Sequence, residues 1–161
     1  KKIHQNEPIL LDLGCCIDGY VVDQTRTAVI GTLSPELEEA YTVSEVILRQ
    51  TEDLLRPGMD CGELYERAAA KTKVSGLFDY FMGFGEDKVK FLGHGIGLEI
   101  DEWPELAQGF PEKLAAGMVI AIEPKFSFPG KGVVGIENTY CITDNSYEKL
   151  TVSNEGIWYI D

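Results

Sequence analysis

The chain has no long hydrophobic run and no surplus of positive charge. None of its 161 residues lies in a segment that reaches the roughly 18 apolar residues of a membrane-spanning helix, and residues 1–7 lack the apolar centre of a signal peptide. Lysine and arginine number 14 against 27 acidic residues, which gives a net charge of −13. Because nucleic acids and anionic membranes bind basic surfaces, we expect neither as a partner.

Cysteines are few and unpatterned. Cys15 and Cys16 are adjacent in a predicted strand, and the four cysteines together show neither zinc-ligand spacing nor a disulfide framework. We therefore expect the cysteines to be small buried side chains, and the protein to reside in a reducing, cytoplasmic compartment. Repeats, low-complexity tracts and linkers are absent too, so the length and the 44% hydrophobic content predict one domain with a substantial core.

Two parts of the chain carry strand patterns. Near the start, alternating apolar residues flank a predicted turn at Asp18-Gly19, which indicates a β-hairpin. From Met118 onward, apolar runs separated by turn residues predict further strands. These lie at residues 118–128, 133–143, 149–152 and 157–160, the last two as a pair.

Two helices are predicted between these parts. The first begins at the N-cap Ser34 and continues until Pro57-Gly58 stops it. The second begins at Asp60, with Glu63 in the capping-box position, and ends at about Gly76. Helices inserted between sets of strands predict an α+β fold in which helices cover a curved, mostly antiparallel sheet.

Five residues with metal-ligand chemistry stand in short apolar or glycine-framed motifs. Asp12 and Asp23 flank the hairpin turn, so both carboxylates are expected at neighbouring positions of one sheet face. His94 has glycine on both sides, which lets the backbone approach a site closely. Glu123 and Glu137 lie in apolar strand motifs, where an unpaired carboxylate is costly. Together the five predict a two-metal hydrolase site.

Each of these residues also has a structural interpretation when taken alone. The spacing of the two aspartates equally fits one solvated residue and one turn residue, and a lone histidine is more often structural than functional. The metal site is favoured because four apolar frameworks each insert a carboxylate or an imidazole, whereas the other charges follow solvated helical patterns.

From Leu11 to about Thr143 the chain resembles the pita-bread metallopeptidases. This family includes aminopeptidase P, prolidase, methionine aminopeptidase and the metal-free relative creatinase. The segment Asp23-Gln24-Thr25-Arg26-Thr27 is similar to the Asp-x-Thr-Arg-Thr segment of the proline-specific branch. The 14-residue step from Glu123 to Glu137 is short, which also resembles that branch. The resemblance implies the pita-bread (creatinase/aminopeptidase) fold.

The resemblance also implies a role for each candidate ligand. Asp12 would bind one metal through both oxygens, and Asp23 and Glu137 would bridge the pair. His94 and Glu123 would complete the other metal. Glu123 would in addition be catalytic, because the matching glutamate of the family carries the proton from the nucleophile to the leaving nitrogen.

Two threonines are predicted to support the ligands, and the ligand set limits the metal. Thr25 and Thr139 are candidate hydrogen-bond donors to the bridging carboxylates. Four carboxylates and one imidazole suit two divalent ions of manganese, cobalt, zinc or iron, and the resemblance favours manganese or cobalt.

The implied function is that of a dinuclear-metal hydrolase which cleaves the N-terminal Xaa-Pro bond of peptides or dipeptides through attack of a metal-bridging water. Peptide substrates are the implied partners, and a homodimer stays open. Two other functions also stay open. One is a non-catalytic module on the same fold that binds a peptide or protein, and the other is methionine aminopeptidase activity.

Two positions depart from the family pattern. Asp101 stands seven residues after His94, where the family usually has a second histidine that contacts the substrate. Asp101 could have a raised pKa beside the metals, bind a positive substrate group, or mark reduced activity. Gly135 replaces an arginine that many proline-specific members carry, so a cation that would orient the carboxylates is missing there.

The family also has a further histidine and opening helices upstream of the first aspartate, and the chain starts too close to Asp12 to include them. We therefore expect residues 1–161 to be a C-terminal metallopeptidase catalytic domain that lacks its N-terminal portion.

Overall fold

Turn residues divide the chain into short strands and two α-helices. The computed structural model describes residues 2–160. The described elements are β1 (Pro8–Ile17), β2 (Tyr20–Ile30), α1 (Pro35–Glu52), α2 (Cys61–Val74), β3 (Phe91–Gly95), β4 (Glu102–Ala107), β5 (Val119–Ile122), β6 (Lys125–Phe128), β7 (Gly132–Gly135), β8 (Asn138–Ile142), β9 (Tyr147–Lys149) and β10 (Trp158–Ile160), with short 3₁₀ helices at Phe78–Tyr80 and Gly85–Asp87.

The strands form three sheets with the orders β1-β2-β10, β4-β3-β5-β8-β9 and β6-β7. Among the described strands only β10 pairs in parallel, with β2, and every other pair is antiparallel. Helix α1 packs against β6 and β7, and α2 packs against β3 and β4. The α+β prediction, with helices covering a mostly antiparallel sheet, is confirmed.

The hairpin turns where the sequence predicts. Asp18 has φ 52° and Gly19 has φ 88°, the pair of positive values that a two-residue type I′ turn requires. This turn sets a register in which Asp12 lies opposite Thr25 and Gly14 lies opposite Asp23. Residues two apart on a strand share a face, so Asp12 and Asp23 lie on the same face of the hairpin.

Both helices begin at the predicted residues, but the first ends early. The Asp60 side chain accepts a hydrogen bond from the Glu63 N–H at 3.2 Å and caps α2 as expected. Helix α1 ends at Glu52 rather than at Pro57. The N–H groups of Leu54 and Leu55 donate to carbonyls only three residues earlier, so the chain tightens into a turn before the proline is reached.

The two long strands predicted after Met118 are each broken in the middle. Residues 118–128 split at Glu123-Pro124 into β5 and β6, and residues 133–143 split at Ile136-Glu137 into β7 and β8. Strands β5 and β8 pair in the five-stranded sheet, whereas β6 and β7 pair with each other. Both glutamates therefore lie at corners where the chain passes from one sheet to another.

The final strand pair was predicted wrongly. Strand β9 pairs with β8, and β10 pairs with β2, so the last two strands do not contact each other as a hairpin.

The prediction of buried cysteines holds for Cys61 and is wrong for Cys15 and Cys16, which are exposed. Residues 12–17 of β1 are all exposed, and β1 is an edge strand of its sheet. No helix within residues 2–160 is long and apolar enough to span a membrane.

A polar network attaches the loop before β10 to α1 and β8. The Glu155 carboxylate accepts hydrogen bonds from Lys149 Nζ at 2.8 Å, from Asn138 Nδ2 at 2.7 Å and from Arg49. Burial alone would raise the pKa of Glu155, but the hydrogen bonds from Lys149 and Arg49 outweigh it and lower this pKa to about 2.

This lowered pKa makes stability depend on pH in the acid range. The unfolded chain binds a proton at Glu155 near pH 4.5, whereas the folded chain does so only near pH 2. The contribution of Glu155 to the free energy of unfolding is therefore complete above pH 4.5 and is lost as the pH falls to about 2. We expect Glu155→Gln to show a smaller loss of stability across this interval in urea titrations, and an unchanged acid loss would contradict this.

Candidate functional site

Three of the five candidate ligands converge within the structure. Asp23 on β2, His94 on β3 and Glu137 at the corner between β7 and β8 each offer a ligand atom, and these atoms all lie within 4.8 Å of one another. All three residues are buried. Two carboxylates and an imidazole thus meet in a region largely shielded from water.

The glycines around His94 are required by the close packing of β3. A Cβ atom at Gly93 would lie 2.0 Å from the Ala121 carbonyl oxygen, and one at Gly95 would lie 2.3 Å from the Trp103 oxygen. The His94 Nδ1 atom is 3.0 Å from the carbonyl oxygen of Gly95, a contact that favours the proton on Nδ1. The lone pair of Nε2 is then free to act as a ligand.

Thr25 on β2 holds Glu137 through two hydrogen bonds. The Glu137 carboxylate accepts a hydrogen bond from Thr25 Oγ1 at 2.5 Å through Oε2, and the Glu137 N–H donates to the Thr25 carbonyl oxygen at 3.1 Å. Glu137 is 1% exposed. Burial raises the pKa of Glu137, and the nearby Lys125 ammonium opposes this rise.

The charged form of Asp23, like that of Glu137, is disfavoured by burial. Burial, followed by repulsion from Glu137 and Asp12, raises the pKa of Asp23 to about 6. Thr139 was predicted to support a bridging carboxylate, but its hydroxyl contacts the backbone of Asp23 instead. It donates to the Asp23 carbonyl oxygen at 2.7 Å and accepts from the Asp23 N–H at 3.2 Å.

Asp12 and Glu123 lie beside this group and share a cation with it. Lys125 Nζ donates to Glu123 Oε2 at 2.7 Å and to Asp12 Oδ2 at 3.2 Å, and it lies 3.4 Å from Glu137 Oε2. Glu123 Oε1 is in turn 3.6 Å from His94 Nε2. The structure therefore brings all five candidate residues into one connected cluster.

Sequence reasoning missed Lys125. It lies two residues after Glu123 and is the cross-strand partner of Gly135, the position at which the family pattern led us to expect an arginine. A Cβ atom at Gly135 would lie 2.7 Å from Lys125 Cγ, so a side chain at 135 would compete with the lysine stem.

Asp101 lies at the edge of the cluster. Its Oδ1 atom is 3.5 Å from His94 Nδ1, and its side chain is 78% exposed. It lines a cavity of about 360 Å³ together with His94, Glu102 and Glu105. Three acidic residues and the aromatic residues Phe91 and Trp103 line this cavity beside the imidazole.

The chemistry of the donors fits a divalent metal ion. Carboxylate and imidazole groups suit manganese, cobalt, iron and zinc. Burial, and after it the negative charge of Glu137, raises the pKa of Asp23, and a bound cation would favour the charged carboxylate. Asp23, His94 and Glu137 would hold the ion, with Glu123 next to them.

The hydrogen bond from Thr25 to Glu137 provides a test of how the carboxylate is held. In Thr25→Val the buried carboxylate loses a donor, so we expect the free energy of unfolding to fall by about 1.5–3 kcal/mol. Thr25→Ser keeps the hydroxyl and is expected to stay closer to the wild type. Urea unfolding of the three proteins measures the difference, and equal losses in both variants would argue against the hydrogen bond.

Comparisons with known proteins agree with this architecture. Residues 1–144 match the model of metallopeptidase family M24. The chain is 37% identical over 151 residues to an Xaa-Pro dipeptidase from Pyrococcus furiosus, a match that covers 94% of the chain and 41% of that relative.

Solved structures give the same result. The prolidase from Pyrococcus horikoshii OT3 superposes with a TM-score of 0.87 at 34% identity, over 96% of this chain and 43% of that one. A methionine aminopeptidase from Thermotoga maritima shares the fold alone, with a TM-score of 0.76 at 22% identity, over 92% of this chain and 65% of that one. The pita-bread fold is thereby confirmed. The chain spans about two fifths of the length of the curated relatives that it matches.

Proposed function

The chain belongs to metallopeptidase family M24, and we propose that it forms part of a metal-dependent peptidase which removes an N-terminal residue that precedes proline. The observation that carries this proposal is the convergence of Asp23, His94 and Glu137 within 4.8 Å. The likeness to Xaa-Pro dipeptidases supports the substrate class. Four free thiols support a cytoplasmic setting.

In this proposal the buried carboxylates and His94 hold a divalent ion, for which manganese or cobalt is our expectation. When bound, the ion would polarise the scissile carbonyl and make a water easier to deprotonate. Glu123 would accept the proton of the attacking water at a carboxylate oxygen and deliver it to the nitrogen of the leaving proline. Its Oε1 lies 3.6 Å from His94 Nε2, which keeps it beside the ligands.

The acidic cavity supports one of the three interpretations of Asp101. Asp101, Glu102 and Glu105 line the cavity next to His94, and three carboxylates there would attract a positive group. The free α-amino group of a peptide is such a group. We therefore propose that Asp101 helps to receive the substrate N-terminus rather than taking part in the proton transfer.

The test is hydrolysis of Ala-Pro and Met-Ala by the complete protein, with and without added manganese or cobalt. We expect metal-dependent cleavage of Ala-Pro and little cleavage of Met-Ala. Preference for Met-Ala would instead support methionine aminopeptidase activity. Binding of peptides without cleavage of either would support the non-catalytic binding module. A variant with Asp23→Asn serves as the control, because it keeps the shape of a ligand and removes its charge.

A further inference from the structure

The ammonium group of Lys125 sits where three of the candidate metal ligands meet. Its Nζ atom is within 3.4 Å of oxygens from Asp12, Glu123 and Glu137, and the side chain is only 17% exposed. An ammonium ion has three N–H donors, and here three different carboxylates surround them. The group therefore has the contacts of a bound cation.

The backbone around Lys125 is built to direct the side chain into the cluster. Lys125 begins β6 directly after the corner at Glu123-Pro124 and pairs with Gly135 of β7. A Cβ atom at Gly135 would come within 2.7 Å of both Lys125 Cγ and the Pro124 carbonyl oxygen. The absence of a side chain at 135 thus makes room for the lysine stem.

The cluster divides into two halves that share Glu137. One half consists of Asp23, His94 and Glu137, whose ligand atoms lie within 4.8 Å of one another. The other half consists of Asp12, Glu123 and Glu137 around the ammonium of Lys125. The ligand atoms of the first half lie close enough together to hold a divalent ion, and Lys125 contacts that half through Glu137, at 3.4 Å. An ion in the second half would have to displace Lys125.

We propose that Lys125 takes the place of one of the two cations, so that the site binds a single divalent ion at Asp23, His94 and Glu137. This inference rests on the proposed metal-dependent function and differs from the two-ion site that the sequence predicts. The ammonium offsets one negative charge of the Asp12 and Glu123 pair in the absence of metal. A second divalent ion would meet an ammonium charge at a few ångströms in a partly buried setting, where repulsion is screened less than in water.

The test is the amount of manganese bound at equilibrium by the complete protein, determined by elemental analysis after dialysis against the metal. The wild type is expected to bind about one ion per chain, and Lys125→Met about two, the number found in two-metal hydrolases. Lys125→Arg keeps a positive charge and is expected to stay at about one ion. Thermal melts of all three proteins establish that the variants fold.

A second readout needs no activity. Without metal, Lys125→Met leaves Asp12, Glu123 and Glu137 without their cation, so the melting temperature of this variant should respond more strongly to manganese than that of the wild type. If the wild type binds two ions, or if Lys125→Met still binds one, the inference is overturned while the proposed peptidase stands. If no protein binds manganese or cobalt, both the inference and the proposed function fail.

Discussion

Replacement of Arg26 by methionine is expected to lower the free energy of unfolding by about 3–5 kcal/mol, because several hydrogen bonds from a charged donor are lost at once. The side chain is among the largest that are fully buried, at 1% exposure. Its Nη1 atom donates to the carbonyl oxygens of Thr25 at 2.8 Å and Glu137 at 2.7 Å, and Nη2 donates to Asn138 Oδ1 at 2.8 Å. Its Nε atom lies 3.0 Å from the carbonyl oxygen of Asn154.

The loss is large because methionine fills part of the space and satisfies none of these acceptors. A hydrogen bond to a charged group contributes about 1.5–3 kcal/mol, and Arg26→Met removes several at once. The oxygens of Thr25, Asn138 and Asn154 keep other donors, which limits the total loss.

The matched control is Arg67→Met, since the Arg67 side chain is 59% exposed and, within residues 2–160, forms an ion pair with Glu63 four residues earlier. Such surface pairs contribute about 0.3–0.5 kcal/mol. Similar losses of unfolding free energy in the two variants would refute this account of Arg26.

Arg26 also links stability to the site. Its guanidinium group bonds the backbone of Glu137, and its neighbour Thr25 bonds the Glu137 carboxylate. The segment Asp23-Gln24-Thr25-Arg26-Thr27 thus contains a candidate ligand at Asp23, the hydrogen-bond donor Thr25 to the candidate ligand Glu137, and the arginine that bonds the Glu137 backbone. Family resemblance singled out this segment, but only the structure shows that the arginine acts on a residue 111 positions away.

Local chemistry allowed the hairpin and the helix starts to be predicted. The turn at Asp18-Gly19 fixes the register of β1 and β2, and with it the shared face of Asp12 and Asp23. The breaks at Glu123 and Glu137 were missed because apolar periodicity reports that a residue is extended and buried, and does not report which sheet it joins. Pro124 within a predicted strand was a usable warning, since proline cannot donate to a central ladder.

The sequence allowed the five candidate ligands of the cluster to be predicted, but not the residues that contact them. The carboxylates and His94 stand out because charged groups in apolar motifs are costly. Lys125 does not stand out, because its contacts with Asp12 and Glu137 join segments that are far apart in the sequence. The contact of Thr139 with the backbone of Asp23 depends on a pairing of segments 116 residues apart. Interactions at such separations follow from the sheet topology, which composition and spacing do not encode.

Glu137→Gln is expected to change metal binding and stability in opposite directions. Glu137 belongs to both halves of the cluster, so loss of its charge should abolish manganese binding at equilibrium. Metal-dependent cleavage of Ala-Pro should then fall further than the roughly 10–100-fold lost when a residue behind a ligand is changed. Stability without metal should rise, because burial raises the pKa of Glu137 and so disfavours its charged form.

The geometry makes glutamine a precise probe at this position. A glutamine oxygen can still accept from Thr25 Oγ1, and Lys125 keeps Glu123 and Asp12 as partners. The matched control is Glu66→Gln on the exposed side of α2, for which neither property should change. Metal content, Ala-Pro hydrolysis and urea unfolding after removal of metal would be measured on the same preparations. Lower stability without metal would mean that the charged carboxylate already stabilises the fold through Lys125, and retained manganese binding would remove Glu137 from the ligand set. Higher stability without metal, together with loss of manganese binding, would instead establish that the buried charge of Glu137 destabilises the fold and is needed to bind the ion.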